Sequence, residues 1–215
     1  MSEVPRTIVR PAWQVPSLST RILTERLVLR PLRTSDVAEM RRALRTNAAH
    51  LRPWSVAPAP GEDPASLASV SRAVLQHRRE WKRGHTFVFI IAGREDESRV
   101  IGRIALGGVL RGAFQNAYLG YWIDYELQGR GLMTEAVRAT TAFAFSGIGL
   151  HRVQAAVMPR NGPSLRVLEK AGYRREGVAE RYLSIAGRWE DHVLFAMTSE
   201  ERSVADQQPP ARLGR

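Results

Sequence analysis

Apolar residues recur at intervals of three and four along four stretches of the chain, a spacing that places them on one face of a helix. Polar residues able to cap a helix precede the first stretch, and Gly84 follows the second. These features predict about four helices. They run from about residue 34 to 44, from 64 to 84, from 131 to 145 and from 163 to 170.

Shorter runs rich in valine, isoleucine, phenylalanine and tyrosine, bounded by turn residues, predict a seven-stranded sheet. The strands lie at residues 27–30, 87–91, 100–109, 117–123, 153–158, 182–185 and 193–197. The second and third are predicted to form one hairpin, and the last two another around Ala186-Gly187. This order of elements predicts an α/β (α+β) fold with a mixed sheet, rather than a doubly wound parallel sheet.

The two ends of the chain lack such a pattern. Residues 1–20 contain three prolines and are predicted to form an extended arm, while residues 200–215 are predicted to be a flexible tail. Residues 21–199 remain as a single domain, which suits a chain of 215 residues.

The charge balance is strongly basic. There are 32 basic and 21 acidic residues, giving a net charge of +11, and only Lys82 and Lys170 among the basic residues are lysines. The arginines are spread along the chain without a long block. This distribution fits either an arginine-rich composition on a solvated surface or a field that attracts phosphates, an acidic cofactor or ribosomal RNA. Charge alone does not separate the two.

Several classes of protein are excluded by what the sequence lacks. Without cysteine there is no disulfide scaffold, cysteine-ligated zinc or thiol nucleophile. The apolar stretch from Ala139 to Leu150 is too short to cross a bilayer of about 30 Å, and the N-terminus has no secretory pattern. A cytoplasmic, globular protein without a membrane segment is therefore expected. No metal is expected, because ligand spacing is absent among His50, His77, His85, His151 and His192.

The glycine-rich segment 128–134, QGRGLMT, joins the predicted strand at 117–123 to the third helix. Glycines in such a turn let main-chain N–H groups converge on an anion, and the helix N-terminus adds about half a positive charge. The segment is neither G-x-G-x-x-G nor a P-loop. On its own it fits an anion site or a plain turn between strand and helix.

With its surroundings, this segment resembles the GNAT superfamily of acyl-CoA-dependent N-acetyltransferases, and within it the Rim-type ribosomal-protein-alanine N-acetyltransferases. Gln128 and Gly131 fit the hallmark Arg/Gln-x-x-Gly-x-Gly/Ala, and Met133 departs from its last position. The resemblance covers about residues 22–198. The other matching stretches are 24–31 (TERLVLRP), 51–54 (LRPW), 119–123 (LGYWI), 151–153 (HRV), 161–164 (N-x-x-S), 169–173 (EKAGY), 176–177 (EG) and 187–192 (GRWEDH).

The resemblance implies a GNAT fold, with a mostly antiparallel sheet that splays between its fourth and fifth predicted strands. It also implies acetyl-CoA as cosubstrate, with Asn161 holding pantetheine and Ser164 near the thioester sulfur. Main-chain groups at the end of the fourth strand would hold the pantetheine arm, and the glycine turn would hold the pyrophosphate. These two groups are Ile123, Asp124 and Tyr125, and Gln128, Gly129, Arg130, Gly131, Leu132, Met133 and Thr134.

The implied reaction is direct transfer of the acetyl group to a neutral amine, with the main-chain N–H of Ile123 stabilising the oxyanion. Many members of the superfamily have a tyrosine that acts as a general acid at the position of Leu168. Because leucine cannot do this, Ser164 is the remaining candidate to assist the departing thiolate. Asn161 and Ser164 also fit simple helix capping, and Arg130 fits a solvated arginine as well as a phosphate ligand.

No carboxylate is singled out as the general base among Asp124, Glu126 and Glu176. Deprotonating a lysine at pH 7 costs about 4.6 kcal/mol, against about 1–1.4 kcal/mol for an α-amine, so a weakly equipped site favours α-amines. The acceptor is expected between the loop 51–60 and the last hairpin. Trp54 and Tyr182 are its predicted contacts, and Trp189 is a further candidate for the lining. Core packing is the alternative for Trp54 and for Trp189.

The predicted acceptor is a protein N-terminus, from a ribosomal protein by resemblance, with ribosome association as a further expectation. Two other functions stay open. One is acetylation of a small amine such as an antibiotic, a polyamine or an amino acid. The other is a non-catalytic basic protein that binds the ribosome or RNA. A monomer or a homodimer is expected.

Overall fold

The computed structural model describes residues 13–202 and 213–214. Nine strands and five α-helices are present within this part of the chain. The strands are β1 (Arg21–Leu23), β2 (Leu27–Pro31), β3 (Phe87–Gly93), β4 (Gly102–Leu110), β5 (Asn116–Ile123), β6 (Arg152–Val157), β7 (Arg174–Ile185), β8 (Arg188–Thr198) and β9 (Leu213–Gly214). The helices are α1 (Val37–Thr46), α2 (Ala48–Leu51), α3 (Leu67–Arg83), α4 (Leu132–Ala142) and α5 (Gly162–Ala171).

All strands belong to one mixed sheet in the order β7-β8-β6-β5-β4-β3-β2-β1-β9. Among the described strands, β5 and β6 form the one parallel pair, so the predicted mixed, mostly antiparallel sheet is confirmed. The predicted count of seven strands is too low, because β1 and β9 are short strands at one edge. The four predicted helices are present, and the additional helix is the single turn α2.

Apolar residues fill both faces of the sheet. The larger core packs α4 and α5 on one face, with Val137 and Leu168 among its fully buried members. The smaller core packs α1 and α3 on the other face, with Ala43 and Val74 buried. The strands between them, such as β3, are therefore apolar throughout rather than alternating.

The parallel strands β5 and β6 separate part-way along their length. Their pairing ends at Tyr118 and Gln154, whereas β5 continues to Ile123 and β6 to Val157. The predicted splay between these strands is thereby confirmed. It leaves one end of a central strand without a hydrogen-bonding neighbour on that side, next to the start of α4.

Residues 1–12 of the predicted arm lie outside the described residues. The end of the arm packs on the domain, where Trp81 Nε1 donates to the carbonyl oxygen of Pro16 at 2.7 Å and the Arg111 guanidinium lies over the Trp13 ring. Of the predicted tail, residues 203–212 and 215 are outside the described part. Leu213–Gly214 pairs with β1 as a strand.

Candidate active site

The gap between β5 and β6 exposes main-chain donors of β5. The N–H of Asp124 donates to the carbonyl oxygen of Ile101, on the β4 side, at 2.7 Å. Main-chain groups of successive residues alternate between the two sides of a strand. The N–H groups of Ile123 and Tyr121 therefore point away from β4, into the gap.

The three residues predicted to hold pantetheine do not offer equivalent groups. The N–H of Asp124 is already paired with β4, and the N–H of Tyr125 donates to Asn47 Oδ1 at 2.8 Å. The carbonyl oxygens of both residues accept hydrogen bonds from the turn that follows. Among these three residues, Ile123 alone directs its N–H into the gap.

The glycine turn presents a second set of donors. Gly129 and Gly131 have φ values of 73° and 77°, in the left-handed region that favours glycine. Gly131 is the N-cap of α4 and has no side chain that could accept the N–H groups of the first turn. Within the described residues, the N–H groups of Leu132, Met133 and Thr134 have no hydrogen-bond partner, as expected for the first turn of a helix. The Met133 side chain is buried in the larger core, so only its main chain faces this site.

Arg26, which the sequence did not single out, holds the turn from the side. Its Nη1 donates to the carbonyl oxygen of Arg130 at 3.0 Å, and its guanidinium pairs with Glu135 at 2.7 Å. Burial alone would raise the pKa of Glu135, but hydrogen bonds from Thr24 and Arg26 keep it below its ordinary value. The turn is thus supported by a cation bonded to its carbonyl side.

The side chains of the turn are engaged with their neighbours. Gln128 Nε2 lies 2.6 Å from Nε2 of His50 on α2, and the His50 ring contacts Tyr125. Arg130 donates to the carbonyl oxygen of Glu126 at 3.1 Å. The sequence shows no metal-ligand spacing at His50 and indicates no other role for it. Its partner is 78 residues away, so no local pattern could have indicated this contact.

The first turn of α5 faces the same gap from the β6 side. Asn161 is the N-cap of α5, and its Oδ1 accepts the N–H of Ser164 at 3.2 Å. The capping interpretation of Asn161 is therefore correct, and its amide nitrogen has no partner among the described residues. The Ser164 hydroxyl lies 3.0 Å from the hydroxyl of Tyr121, a contact that the sequence did not predict.

The carboxylates considered as bases are poorly placed for that role. Asp124 is buried and accepts the N–H of Glu126, and the Glu126 side chain is exposed. Glu176 pairs with Arg152 and Arg174, and the hydrogen bond from Arg152 is the main cause that lowers the pKa of Glu176. The geometry identifies none of the three as a base.

The loop 51–60 and the last hairpin meet as predicted. The N–H of Ala186 donates to the carbonyl oxygen of Ser55 at 2.9 Å. Trp54 is half-buried, with the guanidinium of Arg160 5.7 Å from its ring centre, and Arg160 forms a two-point ion pair with Glu190. Trp54 is therefore at a surface between two elements rather than in the core.

The aromatic residues of the hairpin differ in exposure. Tyr182 is half-buried, and its ring lies 5.8 Å from that of His192, which is buried. Trp189 is 67% exposed, so core packing is wrong for this residue. Tyr182 and Trp54 remain the predicted acceptor contacts on this side.

Arg103 on β4 is a half-buried cation on the α1 and α3 face of the sheet. Its neighbours across the sheet are Ile90 and Trp122. Among the described residues it has no ion pair or hydrogen bond, and burial lowers its pKa. Gly120, two residues before Trp122, is exposed, and a side-chain carbon at that position would have no atom within 4 Å. A charged side chain thus lies beside open space on this face.

Two features are absent from the described residues. No cluster of three or more histidine, aspartate or glutamate side chains there is arranged to hold a metal ion. None of the described helices has the length and apolar character needed to cross a membrane.

The comparison with protein families matches this architecture. The family model described as "Acetyltransferase (GNAT) domain" covers residues 26–174, well over half of the chain. The chain belongs to the GNAT acetyltransferase family. The matched range includes the gap, the glycine turn and the first turn of α5.

Named relatives of this acetyltransferase include enzymes that modify ribosomal proteins. It is 34% identical over 181 residues to the [ribosomal protein uS5]-alanine N-acetyltransferase of Escherichia coli, spanning 84% of this chain and 92% of the relative. It is 35% identical over 175 residues to the probable N-acetyltransferase YjcK of Bacillus subtilis, spanning 81% of this chain and 95% of the relative.

Solved structures of the same family share the fold. Mycobacterium smegmatis RimJ in complex with CoA-disulfide has a TM-score of 0.76 at 34% identity, covering 85% of this chain and 87% of that chain. The ribosomal-protein-S5-alanine acetyltransferase of Vibrio fischeri also has a TM-score of 0.76, at 31% identity, covering 83% and 96%. The GNAT fold expected from the sequence is therefore confirmed.

Proposed function

We propose that this GNAT acetyltransferase uses acetyl-CoA to acetylate the α-amine of a protein N-terminus, with a ribosomal protein as the acceptor. The observation that carries the proposal is a set of main-chain N–H groups that have no hydrogen-bond partner within the described chain. Ile123 directs one into the gap, and the first turn of α4 offers others directly after the same strand. Such a pair of donor sets suits a ligand with a diphosphate at one end and an amide-rich arm at the other.

In this proposal the glycine turn at 128–134 binds the pyrophosphate. The donors are main-chain groups, so the departure of Met133 from the hallmark leaves them in place. The pantetheine arm lies in the gap, where the free amide nitrogen of Asn161 donates to it. CoA in the RimJ structure from Mycobacterium smegmatis supports this choice of cosubstrate.

The reaction follows from the same geometry. The neutral amine attacks the thioester carbon, and the N–H of Ile123 stabilises the oxyanion that forms, a contact of a kind worth about 2.7–4 kcal/mol. The carbon–sulfur bond then breaks, and the hydroxyl of Ser164 donates a hydrogen bond to the departing sulfur. The amine proton leaves to solvent, because no carboxylate is placed as a base.

The lack of a placed base favours an α-amine over a lysine. At pH 7 an α-amine with a pKa of about 7.7–8.0 needs only about 1–1.4 kcal/mol to lose its proton. The names of the relatives support a ribosomal acceptor. The net charge of +11 is compatible with association with ribosomal RNA, and such an acceptor would place the enzyme in the cytoplasm.

Two measurements test the proposal. Isothermal titration with acetyl-CoA should show one site per chain, and absence of binding would favour a non-catalytic ribosome-binding or RNA-binding protein. Mass spectrometry should show acetylation of peptides that begin with alanine or serine, but not of the same peptides with a blocked α-amine and a free lysine. Faster acetylation of polyamines, amino acids or aminoglycosides than of the peptides would instead make this a small-amine acetyltransferase.

A further inference from the structure

We propose that Tyr121 is a positioning residue of this site: its hydroxyl donates to Ser164 Oγ and thereby directs the serine proton into the gap, toward the departing sulfur. The inference rests on the proposed function and adds a residue to it. The reacting atoms are touched by Ser164, and Tyr121 acts through that residue.

The contact spans the gap. Tyr121 lies on β5 three residues beyond Tyr118, where pairing with β6 ends, so its ring is on the opposite face of the strand from that of Tyr118. The ring packs against the larger core, half-buried, and the hydroxyl reaches the first turn of α5. It lies 3.0 Å from Ser164 Oγ and 3.3 Å from the Ser164 carbonyl oxygen.

The Tyr121 hydroxyl carries a single proton, so the oxygen that accepts this proton determines how Ser164 is oriented. The Ser164 carbonyl oxygen already serves as acceptor in the helical ladder of α5, and Ser164 Oγ is the nearer of the two oxygens, so we assign the phenol proton to Oγ. If that proton is donated to Ser164, the serine keeps its own proton free for a partner in the gap. The N–H of Ser164 is at the same time bonded to Asn161 Oδ1, which fixes the turn that holds the serine. Two bonds thus orient one hydroxyl.

The proton of Tyr121 stays on its oxygen during the reaction. Burial raises the pKa of Tyr121 to about 12, with the hydrogen bond to Ser164 opposing that rise. An ordinary thiol has a pKa of about 8.5, so transfer from tyrosine to thiolate is unfavourable by more than about 1,000-fold. The sulfur takes the electron pair of the broken bond and is protonated from solvent, matching the proton lost by the amine. Tyr121 polarises the serine hydroxyl and is unchanged at the end.

The test is a double-mutant cycle. In Tyr121→Phe the ring remains and the hydroxyl is lost, so we expect kcat to fall about 10-fold, the scale of one hydrogen bond. The KM for acetyl-CoA and the affinity by titration should stay within about twofold of the wild type. In a Ser164→Ala background, Tyr121→Phe should cause no further fall in kcat, because the residue through which Tyr121 acts is gone.

Tyr118→Phe is the matched control, since Tyr118 is on the same strand, 42% exposed and on the opposite face. It should leave kcat unchanged. An unchanged kcat in Tyr121→Phe, or an equal loss with and without Ser164, overturns the inference alone. A wild-type chain that acetylates no tested amine overturns the proposed function and this inference together.

A second substitution distinguishes loss of the hydrogen bond from a folding defect in Tyr121→Phe. Replacing Tyr121 by 3-fluorotyrosine keeps the ring and hydroxyl and makes the phenol a stronger donor. We expect kcat at or above the wild-type value in this variant. A fall of several-fold without a change in acetyl-CoA affinity would contradict donation from Tyr121 to Ser164.

Discussion

At the scale of single residues, the site depends on positions that most side chains cannot occupy. Gly129 and Gly131 both have positive φ, and each follows a residue whose side chain turns away to a neighbour. Their role is to set the direction of the N–H groups that follow. The chemistry of this turn is therefore carried by the backbone, and side-chain identity matters less than conformation.

Gly131→Ala is expected to weaken acetyl-CoA binding by at least about 10-fold while lowering the free energy of unfolding by only about 1 kcal/mol. A side-chain carbon at Gly131 would lie 3.5 Å from Arg26 Nη2, an ordinary contact, so the strain comes from the φ of +77°. Relief of that strain would turn the first N–H groups of α4 away from their common target. Titration with acetyl-CoA and urea unfolding measure the two effects.

Gly149→Ala provides the control for this substitution. Gly149 has a φ of +64° with open space around it, and it lies beyond the other end of α4. The loss of stability should be similar in the two variants, and acetyl-CoA affinity should change only in Gly131→Ala. Equal affinity in both would show that the turn is a plain connection between strand and helix.

Arg103 leads to a prediction about stability. Arg103 is half-buried and has no ion pair among the described residues, so its charge is partly removed from water without a compensating partner, and an apolar side chain of similar length avoids that cost. Arg103→Met should therefore raise the free energy of unfolding by about 1 kcal/mol. The exposed Arg79 on α3 is the control, since Arg79→Met should change stability by less than about 0.5 kcal/mol. Destabilisation in Arg103→Met would show that the charge has a stabilising partner in solution.

At the scale of elements, the start of α5 combines two roles in Asn161. Its Oδ1 caps the helix, and its amide nitrogen has no partner in the part of the chain that the structure describes. Asn161→Ala should lower the free energy of unfolding by about 1 kcal/mol and also weaken acetyl-CoA binding. Asn161→Asp keeps the capping oxygen but has no N–H donor, so it should weaken binding alone. Wild-type affinity in Asn161→Asp would leave capping as the only role of this residue.

Elements with strong local signals were predictable from the sequence. The long helix α3 was expected to extend to Gly84, and it ends at Arg83 with Gly84 as its left-handed cap. The sequence pattern predicts that β7 starts at residue 182, whereas the strand begins at Arg174. Its first residues are charged, include a glycine and are exposed, so they show no apolar pattern that would indicate a strand. The sequence does not predict the short strand β1, because three residues are too few to show a periodic pattern.

Within the candidate site, the sequence indicated the segments and not the pairings between them. The glycine turn and the N-cap of α5 carry local signatures, so both were found. The contacts of Tyr121 with Ser164 and of Gln128 with His50 join residues 43 and 78 positions apart. Such contacts depend on how the sheet splays and how α2 packs, and hydrophobic periodicity carries no information about either.

At the scale of the whole molecule, the stability of the fold in acid depends on one half-buried histidine. His77 on α3 lies with Leu32, Arg78 and Trp81 around a narrow crevice, half-buried at the α3 face of the sheet. Burial, followed by the charge of Arg103, lowers its pKa to about 4 from an ordinary value of 6.5. In the folded protein this histidine is therefore neutral across the range in which the unfolded chain takes up a proton.

That difference predicts a loss of stability on acidification. Between pH 6.5 and about 4 the unfolded state binds a proton at His77 that the folded state does not, so the free energy of unfolding falls as the pH falls. The total loss from this residue is about 3 kcal/mol, complete near pH 4 and absent above pH 6.5.

In His77→Gln that loss should vanish, making the variant less sensitive to acid than the wild type. Urea unfolding at pH 7, 5.5 and 4 measures it, with His85→Gln, at an exposed position, as the control that should follow the wild type. Parallel pH curves for the wild type and His77→Gln would mean that His77 is protonated in the folded protein, despite its burial and the nearby charge of Arg103.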